Sequence, residues 1–144
     1  MKKERIFLDT VFVQALLNRR DQYHDQAKAL LNRVRTAFEI WVTEAVLVEI
    51  GNALSSINRG GAVNFIRSCY TTPNIKVVTV DTTLFKRALD LYDNRLDKEW
   101  GLTDCISIVV MQDYGLTEAL TTDEHFKQAG FRVLLIEGKS GVKS

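Results

Sequence analysis

Proline and cysteine are scarce in these 144 residues, with one of the first and two of the second. Cys69 and Cys105 lie far apart and match no metal-binding spacing, and two thiols do not make a disulfide framework, so a reducing, cytoplasmic setting is expected. The only histidines, His24 and His125, are isolated and are not expected to be metal ligands. Charge of one sign is lacking too. The formal net charge is +1, so bulk charge argues for neither a nucleic-acid nor a membrane partner. The run Ile108 to Met111 is as long as any apolar run here, far below the ~18–20 residues needed to cross a bilayer. The opening "MKKERIFLDT" is basic, but Ile6 to Leu8 is too short for a signal-peptide core of ~7–15 residues. A soluble protein with no membrane association is expected. Internal repeats and low-complexity segments are absent.

What remains is an ordinary globular balance, 46% hydrophobic and 26% charged, and a length that suits one core. One domain is expected over residues 1–137, followed by a polar, glycine-containing tail, 138–144, that is expected to be mobile. Arg5 to Leu8 reads as a strand ending at Asp9, with a helix following through Leu17. Tyr23, Ala27, Leu30, Leu31 and Val34 form the stripe of a second helix. "EIWVT" reads as a strand whose Thr43 caps a helix with its stripe at Leu47, Ile50, Leu54 and Ile57, ended by "NRGG". Ala62, Phe65, Ile66, Cys69 and Tyr70 mark another helix, which the single proline, Pro73, closes before the strand "IKVVTV". Asp81 or Thr82 then caps a helix carrying Leu84, Ala88, Leu91 and Tyr92. The loop "NRLDKEWG" leads to an apolar helix, a short strand "EAL", a helical turn in "TTDEHFKQAG" and a last strand "RVLLI". Strands and helices alternate, which predicts an α/β sandwich on a mainly parallel twisted sheet, with ligands beyond the carboxyl ends of its strands.

Acids stand at the junctions of these elements. Asp9 follows "IFL", Asp104 follows Leu102 and Thr103 at a helix start, and Asp123 follows "ALTT". Each one alone reads as a helix N-cap. In a parallel sheet, however, Asp9 and Asp123 project from one edge, and Asp104 points into the same crevice. Glu49 falls off the core stripe of its helix, close to Ala45, Asn52 and Ser56, where the plain alternative is a solvated glutamate. The helix carrying Asp104 is apolar nearly all round, so its first turn must sit deep, with Ser107 on the Asp104 face. A buried carboxylate costs free energy unless amides or a cation compensate it. Oxygen ligands without a Cys/His set suit a hard ion, Mg²⁺ or Mn²⁺.

"FLDTVFVQALL", "TEAVLVEIGNAL", "DKEWGLTDCISIVVMQDYGLTEALTTDEHFKQAGF" and the final "RVLL" together resemble the PIN-domain nucleases, especially the VapC-like toxins of toxin–antitoxin pairs. The resemblance implies a three-layer α/β/α fold and metal-dependent hydrolysis of RNA phosphodiesters by an endoribonuclease. It assigns four acids, Asp9, Glu49, Asp104 and Asp123, as catalytic residues around Mg²⁺ or Mn²⁺, with Thr10, Asn52, Thr103 and Thr122 as polar neighbours and Thr10 or Ser107 in support. A cognate antitoxin and a homodimer are implied in the same way. Gly101 departs from the pattern, standing where many relatives carry serine. Arg19, Arg20, Trp100 and His125 are candidates for RNA contact, against a solvated turn for the arginines and an aromatic packed over the central helix for Trp100. The rival is a PIN fold that binds RNA or protein without cleaving, which is expected to have lost at least one acid. A dehalogenase- or receiver-like phosphotransfer site is disfavoured, because "DTV" has no second aspartate two residues on and no acid pair precedes Asp9.

Overall fold

Five parallel strands in the order β3-β2-β1-β4-β5 form the centre of the computed structural model, which describes residues 3–135. In chain order the elements are β1 (Arg5–Leu8), α1 (Thr10–Leu17), α2 (His24–Thr36), β2 (Glu39–Thr43), α3 (Glu44–Ala53), α4 (Arg59–Thr71), β3 (Ile75–Val78), α5 (Thr82–Asn94), α6 (Leu102–Asp113), β4 (Glu118–Leu120), α7 (Glu124–Gln128) and β5 (Arg132–Val133). The expected end of the domain at residue 137 and the tail 138–144 lie outside the described residues.

The strand order decides where a site can form. The chain moves from β1 outward to β2 and β3, then returns across the sheet to pair β4 with the other edge of β1. The direction of winding therefore reverses between β1 and β4, and at such a switch point the helices diverge and leave a crevice beyond the strand ends. Phe7 is in register with Trp41 of β2 and Ala119 of β4, which puts the residues after Leu8 and Leu120 side by side at that crevice. Right-handed crossovers put α1 to α4 on one face and α5 to α7 on the other. The packing agrees: α1 meets α2 and α3, whereas α6 meets α5 and α7. The result is the expected α/β/α arrangement.

β1 is buried on both faces, as a central parallel strand must be, with Ile6, Phe7 and Leu8 at most 1% exposed. Phe7 packs against Phe126 of α7 with ring centroids 6.2 Å apart. α6 is the central helix predicted by its composition, every residue from Cys105 to Met111 being buried. Thr43 ends β2 and caps α3, its buried hydroxyl accepting the Val46 N–H at 3.2 Å. Asp81 caps α5 through the Leu84 N–H at 2.8 Å.

Several boundaries differ from expectation: β3 ends at Val78 rather than Val80, and β5 covers only Arg132 and Val133 of the expected "RVLLI", with Leu134 and Leu135 helical. α3 stops at Ala53, so Ile57 is not part of its core stripe and is 55% exposed. "NRGG" opens α4 instead of ending α3. The Asn58 side chain accepts the Gly61 N–H at 3.0 Å and donates to the Leu17 carbonyl at 3.0 Å, so one amide both starts a helix and ties it to α1. A Cβ on Gly61 would lie 2.6–2.8 Å from that side chain, so a larger residue there would have to displace the Asn58 amide from these bonds. Tyr70 and Tyr92, expected on core stripes, are 56% and 48% exposed at the edges of α4 and α5.

Candidate metal centre

Asp9 leaves β1 at the amino end of α1 and is 4% exposed. It stands at the N-cap position, yet its carboxylate makes no capping hydrogen bond. It accepts instead the Thr121 hydroxyl at 2.8 Å. Capping therefore does not account for Asp9. Burial, with the charges of Asp104 and Asp123 adding to it, pushes its carboxyl up to about 7, although the Thr121 hydrogen bond acts the other way.

Asp123 and Asp104 each have a double role. Asp123 caps α7, accepting the His125 N–H at 2.9 Å. Asp104 is the third residue of α6 rather than its cap, and its Oδ2 reaches back to the Gly101 N–H at 3.1 Å. That turn closes with glycine at position 101, because the acceptor is the Asp104 side chain and the donor is backbone. Burial and then the Asp123 charge raise the Asp104 carboxyl, partly offset by its bond from His125. Glu49 projects from α3, exposed, and accepts the Thr10 hydroxyl at 2.8 Å.

All four acids line one open cleft of about 580 Å³, together with Thr10, Gln14 and Asn52. The amino ends of α1 and α6 open onto it, which adds positive dipole ends to a negative cluster.

The remaining predicted residues separate. Thr10 is buried and braces Glu49, and Asn52 lines the cleft. Thr103 lies in the adjoining groove between α3 and α6, which it shares with Glu49 and Asn52. The Ser107 hydroxyl is fully buried and, among the described residues, is a side-chain polar atom without a hydrogen-bond partner. The threonine that meets the acids is Thr121, not the expected Thr122. Fully buried, Thr121 donates to Asp9 and accepts the Asp123 N–H at 3.0 Å. Two adjacent threonines after a buried strand offer the same chemistry, and only side-chain alternation, which points successive residues to opposite faces, distinguishes them.

His125 corrects an expectation. Far from being isolated, its Nδ1 lies 2.8 Å from Asp104 Oδ2 and 3.1 Å from Asp123 Oδ1. Both partners accept, so Nδ1 carries the hydrogen. Asp104, Asp123 and His125 offer ligand atoms within 4.8 Å of one another. The helical turn after Asp123 brings the ring back over its own cap, a local geometry hidden by a spacing of only two residues. His24 instead places Nδ1 2.7 Å from the Ala15 carbonyl, a structural contact. Trp100 is 6% exposed, with its indole N–H on Gln128 and the Arg95 guanidinium 4.9 Å from the ring centroid, so no ring face is open to a base. Arg19 and Arg20 are exposed but do not line the acid cleft; they border a separate opening past the end of α1.

These residues fit a hard divalent cation. Beside the His125 ring the donors are carboxylate oxygens, and ionisation of Asp9 is opposed by its burial and, less, by the charges of Asp104 and Asp123, a repulsion that a cation would relieve. Thr121 holds both Asp9 and the backbone of Asp123, and partners of this kind orient metal ligands. Thr121→Val should therefore lower Mn²⁺ affinity by about 10–100-fold while the protein stays folded. Mn²⁺ titration of the two proteins checks this, and equal affinities would remove Thr121 from the site.

Comparison with known proteins gives a consistent result. The PIN domain pattern matches residues 6–132. Among solved structures, Mycobacterium tuberculosis VapC20, a sarcin-ricin loop cleaving toxin, is 27% identical with a TM-score of 0.78, over 88% of this chain and 95% of that one. FitAcB from Neisseria gonorrhoeae has 16% identity and a TM-score of 0.58 over 89% of this chain and 95% of that one, a likeness of fold. No curated protein sequence matches. With the pattern spanning β1 to β5, the chain belongs to the PIN domain family.

Proposed function

We propose that this protein is a divalent-metal-dependent endoribonuclease and the toxin of a toxin–antitoxin pair. The observation that carries the reading is the convergence of Asp9, Glu49, Asp104 and Asp123 on one cleft at the switch point of the sheet. Asp9, Asp104 and Asp123 would hold Mg²⁺ or Mn²⁺, with Glu49 beside them. Bound there, the ion supplies a water of lowered pKa and neutralises charge developing on the phosphate. Glu49, fixed by the Thr10 hydroxyl, orients the attacking water by accepting its hydrogen bond. Thr121 fixes the Asp9 carboxylate, and Asp104, held at Gly101 and His125, keeps one oxygen edge toward the cleft.

The substrate class is drawn from the likeness to VapC20, a sarcin-ricin loop cleaving toxin. A cognate antitoxin that covers the cleft is part of the same reading. A homodimer is supported by the exposed side chains of Val48 and Phe85, which flank an apolar groove with Leu102 and Ile106. The buried free thiols of Cys69 and Cys105 suit a reducing cytoplasm. Among the described residues no helix is long and apolar enough to cross a membrane. Residues 1–137 form the nuclease domain in this reading. The alternative, a binding module without cleavage, is disfavoured because the four acids are all present.

Sequencing RNA ends after brief expression tests the proposal. New ends bearing 5′-phosphates should accumulate with the wild type and be absent with Asp9→Asn. Identical end profiles from the two proteins would refute a nuclease role.

A further inference from the structure

The acid cleft and a second, separate opening lie at the two ends of α1. The α1 wall of the cleft is Asp9, Thr10 and Gln14, and its α3 wall is Glu49, Asn52 and Ala53. Leu17 continues the first wall at helical spacing, and Ser56 lies in the turn that follows α3. Both border the second opening, of about 600 Å³, whose rim carries Arg19, Arg20, Ile57 and Asn58. Thr10 and Leu17 are roughly 10 Å apart along α1.

The two ends have opposite chemistry. Four carboxylates line the first, and no acidic side chain lines the second. Five arginines are committed to carboxylates: Arg5 to Glu39, Arg33 to Glu4, Arg87 to Asp113, Arg95 to Asp97 and Arg132 to Glu118. Arg19 and Arg20 are exposed and make no ion pair among the described residues. The loop that carries them is nonetheless fixed. Asn58 donates to the Leu17 carbonyl at 3.0 Å, and the Asn18 side chain accepts the Arg20 N–H at 3.1 Å. Ile57, 55% exposed on the same rim, offers apolar surface to a ribose or base.

We infer that the second opening is a phosphate-binding subsite for the RNA strand, in which Arg19 and Arg20 grip a backbone phosphate beyond the scissile one. The inference rests on the ribonuclease reading above and adds a direction to it: the strand runs along the α1/α3 seam. Unpaired guanidiniums on an ordered loop attract the backbone at the end of α1 remote from the acids.

The test compares wild type with Arg19→Gln/Arg20→Gln and with Arg19→Lys/Arg20→Lys on a short single-stranded RNA, by cleavage and by binding across a salt series. The glutamine variant should raise KM about tenfold with little change in kcat, because a grip remote from the reacting phosphate is uniform binding. Its salt dependence of binding, measured on the Asp9→Asn background, should be shallower by about 0.7 in log–log slope for each phosphate that is no longer neutralised. The lysine variant should restore the slope. Unchanged KM and slope would overturn the subsite while cleavage by the wild type leaves the nuclease reading standing. Absence of cleavage by the wild type with an altered slope would do the reverse. Unchanged RNA binding together with weaker binding of polyglutamate would assign the opening to an acidic protein partner and overturn the inference.

Discussion

Asp9→Asn should lower kcat/KM for RNA by a factor on the order of a thousand or more, and should also raise the melting temperature of the metal-free protein at pH 8. The two effects have one cause. Asp9 is 4% exposed and shares its cleft with three other acids, so its ionised form is poorly compensated until a cation arrives. Asparagine has the same shape and still accepts the Thr121 hydroxyl, while its amide offers a donor where neighbouring carboxylates need one. The charge needed to hold the ion is lost, and with it the repulsion. Melting curves in EDTA and initial rates in Mn²⁺, taken on the same preparations, measure both. A lower melting temperature for Asp9→Asn would mean that the ionised carboxylate supports the fold, contrary to this account.

Metal-free stability should fall as pH rises from 5 to 8. The Asp9 carboxyl titrates near 7 in the folded chain, against a usual value of 3.8. Between those two values the folded chain holds a proton that the unfolded chain has lost, so each step up in pH favours unfolding. The stabilising contribution is present below the unfolded value and is lost as pH climbs through the folded one, amounting to roughly 4 kcal/mol at most. Asp104, raised by burial and the Asp123 charge, and His125, raised by its two carboxylate partners against its own burial, change stability in the same direction. The acids held low by arginine, Asp97 and Asp113, act in the opposite sense but below this window. Mn²⁺ bound at the ionised cluster would offset this loss, so added metal should flatten or reverse the slope. Urea unfolding at several pH values, with EDTA and with Mn²⁺, gives the comparison. Metal-free stability that rises from pH 5 to 8 would contradict a repelling cluster.

Much of this site was legible from element ends. An acid directly after one strand, Asp9, and another just past a second, Asp123 after "ALTT", fall at one edge in an alternating α/β chain, and the pairing of β1 with β4 bears that out. The depth of the Asp104 turn followed from an all-apolar helix, and α6 is buried accordingly. Legibility ended where side-chain direction decides. Thr121 and Thr122 are chemically alike, but only Thr121 meets Asp9. His125 has no recognisable metal spacing, because its contact with Asp104 spans two elements. Arg19 and Arg20 follow the helix that starts at the acids, but α1 carries them its own length away to a different opening. The start of α4 was hidden for a related reason: Asn58, which reads as part of a terminator, spends its side chain on opening the next helix.

The central claim is that the carboxylates of this cleft act on RNA through a divalent cation. Cleavage rate against Mn²⁺ concentration, for wild type and Asp9→Asn at pH 8, tests it most directly. The account predicts no cleavage in EDTA, a saturable rise with Mn²⁺ for the wild type, and no rise for Asp9→Asn across the same range. Cleavage that is indifferent to EDTA, or that responds equally to Mn²⁺ in both proteins, would contradict it.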